Sequence, residues 1–262
     1  MSGILVQYGV NNSLFFIGYT MEKFLLTVHE TDERMYYLKR MLKDTKVPKP
    51  THAFAPNIVI DARTLEDIED GAYVFCGRVD KEGEALANSR NITLDVYSKD
   101  EKFQAINSRL TAEGALKILL ERSTKGLFDI KALIIGFGRT GSAVARILSD
   151  VGVNLDIASV SSVRQAYAVA ERVIPPANFD FAPYDVIVNT VPKPIIKDKD
   201  TMTLKEGTLY IDLASTPAIN LEYARYLGAD ASVYPALPAK VAPFSAGKAI
   251  YDYISEVLNG KR

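Results

Sequence analysis

The chain has 262 residues, enough for one large domain or two modest ones, and its 48% hydrophobic and 24% charged residues are ordinary for a soluble globular protein. Its 31 basic and 32 acidic residues nearly cancel, so no overall field favours nucleic acid or an anionic membrane surface. Cys76 is the only cysteine, which excludes an internal disulfide and a cysteine-based zinc cluster, and no apolar run approaches the roughly 20 residues that span a bilayer. The opening "MSGILVQYGV" has neither a basic n-region nor a long apolar core, so a cytoplasmic protein is expected.

The two apolar runs around Asn11-Asn12 predict a hairpin, because asparagine tolerates the positive φ of a tight turn. In "TDERMYYLKRMLKD", Met35, Leu38, Met41 and Leu42 fall at helical spacing behind a possible Asp32 cap. "VPKPTHAFAPN", from Val47 to Asn57, is broken by prolines and reads as a connector. "NIVIDA", "AYVFCG" and "NITLDVYS" are short β-rich runs separated by polar, turn-forming segments. "LTAEGALKILLERST", Leu110 to Thr124, predicts a helix that Thr111 caps and Gly126 closes.

From Phe128 apolar strands alternate with amphipathic helices: "KALIIGF", "SAVARILSDV", "NLDIASV", "SVRQAYAVAERV", "YDVIVNTV", "TLYIDLA" and "ASVYPALP". That alternation predicts a doubly wound, parallel α/β sheet of the Rossmann type, preceded by a smaller α/β domain. The expected division is 1–106 for the first domain, which binds substrate or dimerises. A connecting helix follows over 107–127, and the dinucleotide-binding domain with its C-terminal helix occupies 128–262.

Gly136, Gly138 and Gly141 satisfy G-x-G-x-x-G directly after a strand and at the start of a helix. The first glycine makes the tight turn, the second lets a pyrophosphate approach the backbone, and the third lets helix and strand pack closely. Phe137, Arg139 and Thr140 complete the turn, and the latter two are placed to contact the pyrophosphate or the nicotinamide side. An NAD site usually carries Asp or Glu at the end of the second strand to hold the ribose 2′-OH. Here that place reads "ASVSSVR": Ser159, Ser161 and Ser162 can donate hydrogen bonds and Arg164 can pair with a 2′-phosphate, which favours NADP over NAD. Asp156 lies too far back inside the strand to serve. The plainer alternative is that the serines cap the next helix and Arg164 is solvated.

Between the two halves stand Asn107, Ser108, Arg109, Thr111 and Glu113. Arg109 could clamp a substrate carboxylate and the hydroxyls could donate to another oxygen, although capping and first-turn charge also explain Thr111 and Glu113. His29 and His52 both lie in the first half, so a hydroxyacid-dehydrogenase mechanism with a C-terminal histidine is not expected. Lys240, in "PALPAKVAP", is the candidate proton donor, since a lysine desolvated in a cleft can titrate near neutrality. No residue set suggests a metal site, and the aromatic residues read as core because no basic stripe runs among them.

"NSRLTAEGALKILLE", "GFGRTG", "VNTVPKPII", "IDLASTPAI" and "YPALPAKVAPFSAGKAI" together resemble the family of the dipicolinate synthase A subunit, from about Ile106 to Leu258. The resemblance implies a two-domain NADP-dependent oxidoreductase with the architecture of D-2-hydroxyacid dehydrogenases. Its substrate would be a small cyclic dicarboxylate of the lysine branch, and its partner a flavoprotein-like second subunit. It also implies that Thr190, Val191, Pro192 and Ala214 flank the nicotinamide, with Asp212 and Ser215 beside them as candidates for catalysis. Val160 stands where family members tend to have an arginine for the 2′-phosphate, so either Arg164 takes that place or the preference for NADP is looser. Ala236 and Ala239 stand where the family tends to have glycine. Two alternatives accompany this reading: a hydroxy-acid, keto-acid or imine reductase on the same fold, and a non-catalytic NADP-binding sensor or accessory subunit. Such folds often dimerise, so a homodimer through the first domain is a further expectation.

Overall fold

The computed structural model describes residues 23–160 and 163–261, without the side chains of 163 and 164. The hairpin expected at Asn11-Asn12 lies outside the described residues. The first unit begins with β1 (Phe24–Leu25), β2 (Thr27–Val28), α1 (Glu33–Met41), β3 (Lys46–Val47) and β4 (Thr51–Ala53). It continues with β5 (Val59–Ile60), β6 (Tyr73–Cys76), β7 (Arg78–Val79), α2 (Lys81–Ser89) and β8 (Thr93–Val96). Its sheet is four-stranded and parallel, in the order β2-β4-β6-β8, flanked by the small pairs β1-β3 and β5-β7. Helix α1 forms as expected: the Asp32 carboxylate accepts the Met35 N–H, and Met35, Leu38 and Leu42 are buried.

Two expectations for this half are corrected. The proline-broken connector contains a central strand, β4, because Pro48, Pro50 and Pro56 flank Thr51–Ala53 and leave their N–H groups to the ladder. The polar segment after β7 holds helix α2, capped by Asp80, whose carboxylate accepts the Gly83 N–H at 2.8 Å. Gly83 packs directly on the Ile60 carbonyl, and a β-carbon there would collide with it.

The long helix α3 (Glu101–Arg122) joins the halves. It starts ten residues before the expected Thr111 cap, because Asp100 caps it by accepting the Phe103 N–H at 2.7 Å. Thr111 lies inside the helix, its hydroxyl donating to the Asn107 carbonyl one turn back. Ser123, not Gly126, is the residue that ends the helix.

The second unit comprises β9 (Lys131–Ile135), α4 (Arg139–Asp150), β10 (Asn154–Ala158), α5 (Val163–Ala166) and β11 (Arg172–Ile174). Then come β12 (Val186–Asn189), α6 (Asp198–Thr201), β13 (Leu209–Asp212), α7 (Leu221–Tyr226), β14 (Asp230–Val233), α8 (Leu237–Val241) and α9 (Pro243–Leu258). Its six strands are all parallel, in the order β11-β10-β9-β12-β13-β14, the doubly wound sheet expected. Apolar side chains from its two faces form separate buried clusters, one beneath α3 and α4 and one that includes Leu221 and Ala224 of α7. Helix α9 returns to the first unit: Ala249, Ile250 and Ile254 join the α1 core, and Gly247 allows close approach to the Arg34 carbonyl.

The helix expected over "SVRQAYAVAERV" is corrected to one turn followed by an edge strand. Arg172–Ile174 pairs with Asp156–Ala158, and the Arg172 guanidinium reaches the buried Asp156 carboxylate at 2.6 Å. The Tyr184 hydroxyl donates to the same carboxylate at 2.8 Å, so Asp156 is committed to the fold. Burial raises the Asp156 pKa, but the bonds from Arg172 and Tyr184 outweigh it and hold the group below the ordinary carboxylate range.

At the edge of this sheet away from the β9 and β12 C-termini, Asp185 accepts Lys125 Nζ and Lys205 Nζ at 2.9 Å each and the Lys131 N–H at 3.1 Å. Burial raises its pKa, yet these donors bring it down to about 2. A depressed folded-state pKa contributes stability that is complete above the unfolded value and disappears as the carboxylate protonates. Stability should therefore fall between about pH 4 and pH 2, and acid denaturation of Asp185→Asn should lose that component of the slope. An unchanged slope in the variant would show that the three donors do not set this step.

Candidate functional site

The chain leaves β9 through Gly136, whose φ of +92° favours glycine. A β-carbon at Gly136 would come within 2.6 Å of Thr190 Oγ1 and 2.8 Å of Val191 Cγ2, so the loops after β9 and β12 meet there. At Gly141 a β-carbon would collide with the Gly136 carbonyl, the close helix-to-strand approach expected of the third glycine. Around Gly138 nothing lies within 4 Å of the corresponding position, which leaves its backbone open to a guest. No side chain caps α4, so its first-turn N–H groups and the positive end of its dipole are available to a phosphate.

Beside this turn lies a cleft of about 580 Å³ between the C-terminal ends of the two parallel sheets. Open α/β sheets bind ligands at that edge, where the strand order reverses, here between β9 and β12. Gly136, Gly138, Arg139, Thr140 and Gly141 form one wall, with Thr190, Val191 and Pro192 beside them. The Thr190 hydroxyl donates to the Ile135 carbonyl at 2.9 Å, and Asn189 exchanges hydrogen bonds with the Val191 backbone, so this wall is fixed internally. The opposite wall is Pro56, Arg78 and Ser98 from the first unit, with Phe103, Gln104, Asn107 and Ser108 of α3 closing the base. No carboxylate, lysine or histidine is among the lining residues.

Ten sequence-predicted residues thus meet at one site: the eight on the glycine-turn and β12 walls, with Asn107 and Ser108. Ser108 and Thr140 approach across it, their hydroxyl oxygens 3.5 Å apart. Arg139 is partly engaged by Glu101 at 3.6 Å. Phe137, Arg109 and Glu113 instead line an adjoining groove of about 680 Å³ between α3 and α4, which shares Ser108 and Arg139 with the cleft. Arg109 is 84% exposed there and lies 3.9 Å from Glu113, one turn along the helix. The structure therefore does not place its guanidinium as a clamp in the cleft, and the Thr111 hydroxyl is occupied within α3.

The proposed catalytic set is dispersed. Asp212 is fully buried and accepts from Asn189 Nδ2, the Tyr210 hydroxyl and the Ala214 and Ala218 N–H groups, each within 3.1 Å. It organises the turn after β13, the structural role weighed against catalysis, and Ala214 is held by that bond outside the cleft lining. Ser215 is exposed. Lys240 is exposed in the last turn of α8, a correction to the desolvated lysine expected, because "LPAKV" folds as a short helix with its charged side chain outward. Ala236 precedes that helix at φ +55°, a backbone conformation that favours glycine. Ser159 is buried at the end of β10, its N–H donating to the Ile174 carbonyl, and Val160 beside it is 82% exposed. Ser161, Ser162 and the Arg164 side chain lie outside the described residues.

His29 and His52 do not line the cleft. His29 Nε2 lies 3.1 Å from His52 Nδ1, and His52 Nε2 lies 2.8 Å from Glu69, while burial and His52 together lower the His29 pKa. Sequence reasoning missed Pro56, Arg78, Ser98, Phe103 and Gln104 as cleft residues. A glycine immediately after the apolar run "YVFC" is the available signal for Arg78, since a buried parallel strand delivers the next residues to the ligand-binding edge.

No family model matches the chain. The A subunit of dipicolinate synthase from Bacillus subtilis (strain 168) is 26% identical to it over 177 residues, 66% of this chain and 59% of that protein, so the match spans about three fifths of the relative's length. The crystal structure of the dipicolinate synthase A subunit from Bacillus halodurans superposes with a TM-score of 0.77 at 20% identity, covering 89% of this chain and 97% of that one. The apo-structure of D-lactate dehydrogenase from Escherichia coli gives a TM-score of 0.59 at 14% identity, covering 90% of this chain and 97% of the other. The chain is therefore similar in sequence and fold to the A subunit of dipicolinate synthase, as its motifs implied, and it shares the two-unit architecture of a D-lactate dehydrogenase.

Proposed function

We propose that this chain is an NADP(H)-dependent oxidoreductase similar to the A subunit of dipicolinate synthase, acting on a small cyclic dicarboxylate between its two units. The observation that carries the reading is the glycine turn, with an open backbone at Gly138 and an uncapped α4 beside a cleft that contains arginines and no carboxylate. The residues present fit a dinucleotide: Gly136, Gly138 and Gly141 would hold its pyrophosphate with Arg139 and Thr140. Thr190, Val191 and Pro192 would lie against the nicotinamide. The preference for NADP rests on the end of β10, where Ala158, Ser159 and Val160 offer no carboxylate to a ribose 2′-OH, and on Arg164 as partner of a 2′-phosphate.

When bound, the nicotinamide supplies a hydride acceptor or donor. The chain's own contribution is to orient the substrate ring, because the cleft lining holds no carboxylate, lysine or histidine to act as a general acid or base. Oxidation of a dihydropyridine ring suits such a cleft. The ring loses a hydride from carbon and a proton to water as it becomes aromatic, so no protonated side chain has to serve an alkoxide. Similarity to one subunit of a synthase supports a second, different subunit in partnership with this chain.

The test is to follow reduction of NADP+ by the purified protein with a partly reduced pyridine-2,6-dicarboxylate, and separately its reduction with simple 2-hydroxy acids and the oxidation of NADPH with simple 2-keto acids. Turnover of the cyclic dicarboxylate alone is expected. Turnover of simple acids alone would move the chain to the hydroxy-acid dehydrogenases, and cofactor binding without any turnover would make it a non-catalytic accessory protein.

A further inference from the structure

Arg78 is the cation of the first unit's wall. Its position is fixed from three directions. Gly77, just before it, packs so closely on Pro56 that a β-carbon would overlap the Pro56 backbone. The Ser98 hydroxyl donates to the Gly77 carbonyl, and Arg78 itself pairs with Val59 in the β5-β7 ladder. The side chain is exposed to the cleft and makes no ion pair among the described residues. Two of its polar neighbours retain unused hydrogen-bonding capacity. The Asn107 amide has no partner among the described residues, and Gln104 spends its N–H on the Ser98 carbonyl at 2.7 Å while its amide oxygen stays free.

The charges in the cleft divide between its walls. On the glycine-turn side, Arg139 and the α4 N-terminus would be neutralised by a pyrophosphate, and Glu101 already approaches Arg139. Across the cleft, nothing in the lining neutralises Arg78, since the lining contains no carboxylate. A planar fork of donors without an internal acceptor matches a carboxylate or a phosphate, and the phosphates of a dinucleotide would be met on the opposite wall, which leaves a carboxylate as the anion for Arg78.

We infer that Arg78, with the Asn107 amide beside it, is the anchor for a substrate carboxylate, so that the first unit recognises the acid and the second holds the cofactor. This inference rests on the functional reading above and assigns the substrate-specificity role to the half of the chain whose sequence shows the family motifs least. Arg109, on the other groove, has no part in it.

The experiment measures binding of pyridine-2,6-dicarboxylate to the NADP-saturated full chain by calorimetry, for wild type, Arg78→Met, Arg78→Lys and Arg109→Met, with NADPH affinity measured on each. Arg78→Met should weaken the dicarboxylate about 30-fold, Arg78→Lys should lose less, and Arg109→Met should match wild type. NADPH affinity should stay within about twofold throughout, which also reports that each variant is folded. Dicarboxylate affinity unchanged in Arg78→Met would overturn the anchor while leaving the functional reading intact. Failure of the wild type to bind NADPH would overturn that reading and the anchor with it.

Discussion

Replacing Gly141 by alanine should cost about 3 kcal/mol of stability and weaken NADPH binding at least about a hundredfold, because the new methyl must displace backbone. The obstacle is the Gly136 carbonyl at the root of the turn, which cannot yield without moving α4 off β9, and Thr190 Oγ1 also lies only 3.0 Å away. Gly138→Ala provides the contrast. Its methyl would enter open space and its φ of −79° suits alanine, so stability should change by less than about 0.5 kcal/mol. Binding should nevertheless fall, since that same open space is where the phosphates would meet the backbone. Thermal melts with and without NADPH separate the outcomes. Equal melting points for Gly141→Ala and wild type would contradict the packing role, and undiminished NADPH binding by Gly138→Ala would contradict the phosphate role.

Asp212→Ala should be nearly as damaging to the fold, by about 3–4 kcal/mol, through loss of a buried hydrogen-bond hub. The N–H groups of Ala214 and Ala218 and the Tyr210 hydroxyl would lose their acceptor, and the Asn189 amide would keep only the Val191 carbonyl. Desolvation and the neighbouring Asp212 already push the Tyr210 hydroxyl well above its ordinary pKa, so the hydroxyl stays a donor and cannot relax by ionising. Chemical denaturation measures the loss. A catalytic Asp212 would behave differently: its alanine variant would melt like wild type and lose only turnover. Lys240→Ala and Ser215→Ala, both outside the cleft lining, should leave melting and NADPH affinity unchanged.

The second unit was legible because local and global signals coincide there. Strands such as "ALII" are buried on both faces of a parallel sheet and read as continuous apolar runs, and each glycine of the turn has a separate steric reason. The first unit was harder. Its strands are two to four residues long, too short for periodicity, and the strand Thr51–Ala53 hides between prolines that are harmless outside the ladder. Helix α2 was concealed by polar composition, although Asp80 ahead of "KEGEALA" is an ordinary capping signal.

In the site, the residues that touch a backbone turn were found and those that merely face it were not. Arg109 and Arg78 are both exposed arginines, and only the glycine after "YVFC" distinguishes Arg78 in the sequence; the helical phase of α3 turns Arg109 toward the other groove, and the start of β7 presents Arg78 to the cleft. The same holds for Asp212, whose place after an apolar strand resembles that of a catalytic carboxylate. Only the inward direction of its side chain, set by strand alternation and the return of the chain to Ala218, makes it a structural acceptor.

The most direct measurement is a calorimetric titration of the full chain with NADPH and, separately, NADH. A single site per chain is expected, filled by NADPH about tenfold more tightly than by NADH and weakened in Gly138→Ala. Absence of binding by either nucleotide would contradict the proposed function at its root.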